Sequence, residues 1–491
     1  MYHLLRSPYA LILLSPIIFL FLRLGQRAYV SKKQGIPGPF LARFSRLWYL
    51  HQIRKRTFHL SNIELHKKYG PVVRIAPNEF SIDDAEAVKI IYGHGTLFNK
   101  SPWYYAAGHP YNRDLFTEQD AKLHAEKRRT VASLYSMSTL LHMEPCVHEC
   151  TSLLKDRLTE FATSRTVFNL QYWLQCYAFD VIGLITVAER FGFLDEGKDH
   201  YNLFPSLETY LKYCADVGVY SEIHPLLSQI NTYRNQGRGH LGSFASKQIQ
   251  KRQAALADVE KKPGIADDFL AKMFQKHYED PETFTTERIF MTCLTNIGAG
   301  SDTTSISLCA IFWHLLHSHE SLVKLRAEIE SVGEVGSYQV ALKLPYLQAV
   351  IKEALRLHPA TGLPLGRVVP KGGSTIAGKY FSEGSVVGVN TWVAHHNTAV
   401  FGEDASSFRP ERWLESEERA KEMSKSWLPF GSGSRTCIGK NISLLEISLL
   451  IPELVRNFDF ELVDKHAPLE SENIWFVRQK NVNCRVNMRS R

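Results

Sequence analysis

At 491 residues the chain is longer than one hydrophobic core usually supports, so it calls for two lobes or a large composite domain. An apolar share of 44% is that of a globular protein and excludes a disordered one. The net charge of +8 comes with no arginine-rich arm and no finger-like Cys/His spacing, which argues against nucleic acid and for an anionic surface or an acidic partner.

In chain order, residues 1–24 depart first from a soluble pattern. Pro8 to Leu22 is apolar apart from Tyr9 and Ser15, and Arg6 and Arg23 flank it. The run falls slightly short of the roughly 20 residues that span a bilayer, a deficit that snorkelling arginines offset. No small-residue cleavage site follows, so a retained membrane anchor is expected rather than a cleaved signal. Residues 25–39 form a basic linker with Arg27, Lys32 and Lys33, ending in the stiff elbow Ile36-Pro37-Gly38-Pro39. Basic residues there keep this side in the cytosol. Residues 40–491 are then a cytosolic catalytic domain, and the sequons at Asn99 and Asn441 go unused. The eight cysteines form no CxxC pair. Cys146 and Cys150 fall on one helix face, where packing is commoner than a disulfide, and reduced thiols are expected.

Val72 to Phe80 reads as a strand and turn, and Thr375 to Asn390 as short strands broken by Gly378 and Gly384. Glu287 to Ser318 and Tyr346 to Leu357 carry helical periodicity, the latter stopping before Pro359. The predicted class is mainly α with a minor β-sheet region.

Three constellations carry chemistry. The long helix contains Ala299-Gly300-Ser301-Asp302-Thr303-Thr304; Gly298 and Gly300 weaken it by roughly 1 kcal/mol each, so a groove for a small molecule is expected there. Asp302 can relay protons from solvent, and Thr303 can hold a water or bond back to a carbonyl. By itself such a segment is more often a helix-packing site. Glu353 and Arg356 stand three apart among Val350, Ile351, Ala354 and Leu355, so an ordinarily superficial pair becomes partly buried. Finally, Phe430-Gly431-Ser432-Gly433-Ser434-Arg435-Thr436-Cys437-Ile438-Gly439 precedes an apolar helical run. A thiolate there gains from backbone N–H groups and a helix N-terminus, Arg435 adds a cation, and Gly433 and Gly439 let a flat ligand approach. A lone cysteine would be read as buried packing.

The spacing of Phe430, Gly433, Arg435, Cys437 and Gly439 resembles the haem-binding loop of the cytochrome P450 family. Lys68-Tyr69-Gly70-Pro71-Val72-Val73-Arg74 and Trp173 to Asp180 are similar to fungal microsomal members, nearest the pisatin-demethylase-like group. The resemblance implies the cytochrome P450 fold with haem b, Cys437 being the axial thiolate ligand of its iron and Phe430, Gly433, Arg435 and Gly439 shaping the cofactor loop. It assigns Asp302 and Thr303 to proton delivery, and Glu353, Arg356 and Arg412 (within Pro410-Glu411-Arg412-Trp413) to a structural network. Haem propionates then need cations or donors, for which Arg435, Arg367, Arg128 and His124 are candidates, with His395 a further contact. Family members commonly carry tryptophan where this chain has His124.

The implied reaction is monooxygenation of a lipophilic small molecule, or O-dealkylation through hydroxylation, in secondary metabolism. Electrons come from NADPH through NADPH–cytochrome P450 reductase or cytochrome b5, docking on Lys122, Lys127, Arg129 and Lys440. Substrate contacts are expected from Trp103, Tyr104, Tyr105, Phe116, Ile297, Thr361 to Leu365 and the region of Gln479. The implied location is the endoplasmic reticulum membrane. One departure is the 328–344 stretch, shorter than usual, which bears on stability rather than chemistry. The rival readings are a haem-thiolate isomerase or dehydratase acting on a peroxide, and a non-enzymatic haem binder; the Asp302–Thr303 pair disfavours both. A transferase without haem requires every motif match to be accidental.

Overall fold

The computed structural model describes Ser15 and residues 22–23, 25–27, 34–259 and 268–489. The anchor expected over Pro8 to Leu22 lies almost wholly outside these residues, as does much of the 25–39 linker. Among the described residues no helix is long and apolar enough to cross a membrane.

Helices dominate, and the strands form small sheets. One sheet has the order β1 (Val72–Ala76), β2 (Glu79–Ile82), β8 (Val386–Val389), β5 (Arg367–Val368), β3 (Asn99–Lys100). Its hairpin of β1 (Val72–Ala76) and β2 (Glu79–Ile82) realises the predicted strand and turn. β3 (Asn99–Lys100) pairs with β5 (Arg367–Val368), placing Lys100 opposite Arg367. The 375–390 region forms the hairpin of β6 (Ser374–Ile376) and β7 (Lys379–Phe381), then β8 (Val386–Val389), with Gly378 and Gly384 at positive φ in the turns. A three-stranded sheet joins β4 (Phe168–Asn169), β12 (Asn483–Met488) and β9 (Phe458–Leu462), and β10 (Ser471–Asn473) pairs with β11 (Val477–Gln479). These C-terminal strands, short and alternating with polar residues, were not legible as strands in the sequence.

The helices that position the site are α1 (Ala85–Tyr92), α2 (Ala121–Val131), α3 (Leu170–Val187), α4 (Leu203–Val217), α5 (Thr286–His317), α6 (Pro345–Leu357) and α7 (Lys440–Asn457). Thr285 caps α5, its hydroxyl accepting from Arg288 N–H at 3.2 Å. α6 opens on Pro345 at its first position and ends at His358 ahead of Pro359. The Glu328 carboxylate accepts from the N–H groups of Tyr346 and Leu347, both at 2.8 Å, so the short 328–344 stretch caps α6 rather than weakening it.

α3 and α5 pack side by side through the core. A Cβ on Gly300 would sit 3.1 Å from two carbons of Ile182, so this glycine permits the close approach of two helices. That corrects its expected role as groove-former; Gly298 does face open space. All eight cysteines are free, consistent with reduced thiols.

Candidate functional site

The loop that carries Cys437 closes on itself. Cys437 N–H donates to Phe430 O at 2.8 Å and the Thr436 hydroxyl to the same oxygen at 3.1 Å. Gly433 has φ +64°, and a Cβ there would fall on the carbonyl oxygen of Tyr92 at the end of α1. The contact between loop and helix by itself therefore requires the glycine. Gly439 instead stands beside the sulfur, its added Cβ 4.0 Å from Cys437 Sγ. Cys437 alone among the cysteines is exposed, whereas the rest are buried or half-buried. The density of protein atoms around the sulfur raises its thiol pKa despite the exposed face of the side chain, an effect opposed by the N–H groups of Gly439 and Lys440 and by the charges of Arg128 and Lys440.

Beside the loop lies a cavity of about 610 Å³ lined by His124, Arg128 and Arg129 of α2, Arg367 of β5, Arg435 of the loop and Tyr92 of α1, among others. Among the described residues no carboxylate lines it. Arg128 donates to Thr436 O at 2.7 Å, and Arg435 spans the carbonyls of Glu118 and Gln119, both at 2.7 Å. Arg367 donates to Tyr104 Oη and Gly366 O at 3.0 Å each and lies over the rings of Tyr92 and Tyr104. All three guanidiniums rest on neutral oxygens, so their charge is left for an anion in the cavity. His124 is buried, and its pKa falls to about 3, first through burial and then through Lys100, Arg435, Arg128 and Arg367. It is therefore a neutral imidazole in a ring of cations. Lys100, missed by the sequence reading, is buried with Nζ donating to Phe116 O. Nothing in the sequence singled it out, since its strand is only Asn99–Lys100, and its register opposite Arg367 is set by the sheet.

On α5, Ala299 is exposed and Thr303 half-exposed, although the helix is otherwise largely buried. The Thr303 hydroxyl donates to Ala299 O at 2.8 Å. Thr304 Oγ1 lies 2.9 Å from Ser443 Oγ of α7, which fixes the spacing between this helix and the one that follows the cysteine loop. Asp302 is fully buried and bonded to Gln175 and Arg478, so it does not meet solvent directly as expected.

Glu353, Arg356 and Arg412 converge in the core. Glu353 accepts from Arg356 Nε at 2.9 Å and Nη2 at 2.8 Å, from Arg412 Nε at 2.8 Å, and from Trp413 Nε1 at 2.9 Å. Arg356 Nη1 continues to the carbonyls of His395 and Ala405. His395 is fully buried: its Nδ1 lies 2.8 Å from Arg356 O, and its Nε2 accepts from Leu428 N–H at 2.8 Å. It ties α6 to the strand of chain leading into the cysteine loop and is no cavity contact.

Other expectations divide. Trp103 packs on Trp475 and Tyr104, Phe116 on Tyr104 and Trp475, and Tyr105 on Arg113. Thr361 bridges to Phe476. Ile297 is buried in the core; Gln479 Nε2 donates to Ile306 O at 2.9 Å, while its Oε1 is buried without a hydrogen-bond partner. Lys127 is committed to Glu118 at 2.7 Å and to Arg113 O, leaving Lys122 and Arg129 as the exposed cations of α2. Asn441 Nδ2 donates to Tyr135 O at 3.0 Å.

The fold, the cysteine loop and the cation-lined cavity define a haem-thiolate architecture, and the cytochrome P450 family profile matches residues 37–485. The chain belongs to the cytochrome P450 family and is a monooxygenase of it. It is 40% identical over 458 residues to pisatin demethylase of Fusarium vanettenii, covering 92% of this chain and 88% of that one. It is 35% identical to cytochrome P450 monooxygenase gsfF of Penicillium aethiopicum, over 92% of this chain and 93% of the relative. Cytochrome P450 monooxygenase pkfB of Emericella nidulans is also 35% identical, over 92% and 91%.

Proposed function

We propose that this protein inserts one oxygen atom of O2 into a lipophilic small molecule of secondary metabolism, by hydroxylation or by O-dealkylation through it. The observation that carries this reading is the pairing of an exposed Cys437 with a cavity ringed by Arg128, Arg367, Arg435 and the neutral His124. A flat dianionic cofactor with one soft-ligand position fits that set. Cys437 would hold the iron of haem b, and the guanidiniums and His124 its propionates. When bound, the haem supplies oxygen activation; the protein supplies ligand, protons and a shaped site. Thr303 presents its hydroxyl at the Ala299 face of α5, where a water can be held, and Asp302 stands next to it as the acid of the pair.

Electrons would come from NADPH through a reductase, meeting the exposed Lys122 and Arg129. Membrane attachment at the endoplasmic reticulum by residues 1–24 is supported by an apolar surface. Phe40, Leu41 and Leu47 are exposed, as are Ile223, Leu226 and Tyr233, and Arg46 joins the two groups by pairing with Glu222 at 2.8 Å. The pisatin demethylase relatives make demethylation of pisatin one reaction to test.

The reduced, carbon-monoxide-bound absorption spectrum tests the reading. A strongly red-shifted Soret band that is lost in Cys437→Ala is expected; an unshifted band in native protein would overturn thiolate ligation. With haem retained, Thr303→Ala should divert NADPH electrons from product to peroxide.

A further inference from the structure

The acid of the Asp302–Thr303 pair is held by two residues from elsewhere in the chain. Gln175 Nε2 of α3 donates to Asp302 Oδ1 at 2.7 Å, and Arg478 Nε of β11 donates to Oδ2 at 2.7 Å. Asp302 is fully buried and Gln175 nearly so. Arg478 reaches the other way toward the surface, where its Nη1 stands 3.5 Å from Glu208 of α4, itself 40% exposed and paired with Lys212. Arg478 Nη2 is buried with no hydrogen-bond partner. The Arg478 guanidinium thus links a sealed carboxylate to a surface carboxylate, joining Asp302 to the edge of the molecule.

We infer that Arg478 is the positioning residue of proton supply, balancing the Asp302 charge and marking the entry of protons along the edge between β11 and α4. This rests on the reading of Asp302 and Thr303 as the proton-delivery pair. When the Arg478–Asp302 pair opens, solvent at the Glu208 edge gives a proton to the Asp302 carboxylate and is reprotonated from bulk. Asp302 passes a proton to the Thr303 side and returns to the carboxylate, so no net charge accumulates. Without Arg478 the carboxylate has Gln175 alone. It would then take up a proton and keep it, because releasing it would leave an uncompensated buried anion.

The test uses full-length holoprotein with reductase, NADPH and O2, and no added substrate. The share of O2 reduced to water rather than to peroxide reads proton supply, and the carboxyl stretch in infrared difference spectra reads Asp302 directly. In Arg478→Gln the ratio of peroxide to water should rise at least threefold. A protonated-carboxyl band should appear that is absent from Arg478→Gln/Asp302→Asn. Arg478→Lys, which keeps the charge, should restore most of the water share. Should Arg478→Gln fail to hold haem, the surface variant Glu208→Gln should shift the ratio the same way by a smaller factor. An unchanged ratio and no new band in Arg478→Gln, or in its absence an unchanged ratio in Glu208→Gln, with Thr303→Ala still raising peroxide, overturns the role of Arg478 and leaves the pair intact. An unchanged ratio in Thr303→Ala overturns the pair itself.

Discussion

Replacing Glu353 by glutamine tests whether the buried ion triad holds the core behind the cysteine loop. The two Glu353 oxygens accept five hydrogen bonds, from Arg356 twice, Arg412, Trp413 and the Arg409 backbone N–H. Arg356 Nε and Trp413 Nε1 both donate to Oε2, and Arg356 Nη2, Arg412 Nε and Arg409 N to Oε1. A glutamine amide must set its NH2 against at least two of these donors. Arg412 would keep Asp404 at 3.0 Å, but Arg356 would be left with carbonyls alone. Breaking a buried ion pair from one side costs about 3–5 kcal/mol, and nothing in this pocket can relax to water. Urea unfolding of the detergent-extracted protein, followed by tryptophan fluorescence, should show a loss of that size, with haem released early in the transition. A loss under ~1 kcal/mol with haem retained would refute the reasoning, since a superficial pair is worth about that much.

The other expectations are as follows. Gly433→Ala should abolish haem retention while leaving most of the fold, because its Cβ collides with Tyr92 O and φ is +64°; haem content per folded protein measures it, and normal content would count against the loop geometry. Lys100→Met should stabilise the cofactor-free protein by about 1–3 kcal/mol, because it removes a buried ammonium that Arg367 and Arg435 also repel; urea unfolding measures it, and an unchanged or lower stability would count against that crowding. Acid should weaken the fold below the ordinary histidine pKa. His59 is lowered to about 3, mainly by burial and then by His358 and His396, and His358 to about 4, by burial. Both therefore stay neutral when folded while the unfolded chain takes up protons, so stability is full above about pH 6.5 and falls as pH drops toward 4 and then 3. Stability measured against pH in His59→Asn should be flatter over that window; an identical slope would exclude His59 as a contributor.

The sequence by itself determined the local chemistry. Helical spacing put Glu353 and Arg356 on one face, placed Thr303 one turn from Ala299, and set Cys437 ahead of a helix, because a fixed rise and rotation per residue decide which neighbours share a face. Strand hairpins broken by Gly378 and Gly384 were legible for the same reason: positive φ is affordable there at little steric strain. Only the tertiary structure decided what those residues face. Arg478 lies 176 positions after Asp302 and Gln175 lies 127 before it, and nothing periodic links them. Lys100 came to lie opposite Arg367 through strand register, His395 became a strut through Arg356 and Leu428, and Gly300 served the approach of α3. Each of these roles depends on burial against a distant element. Whether a charge is compensated or a glycine needed is a property of that contact, which local spacing does not encode.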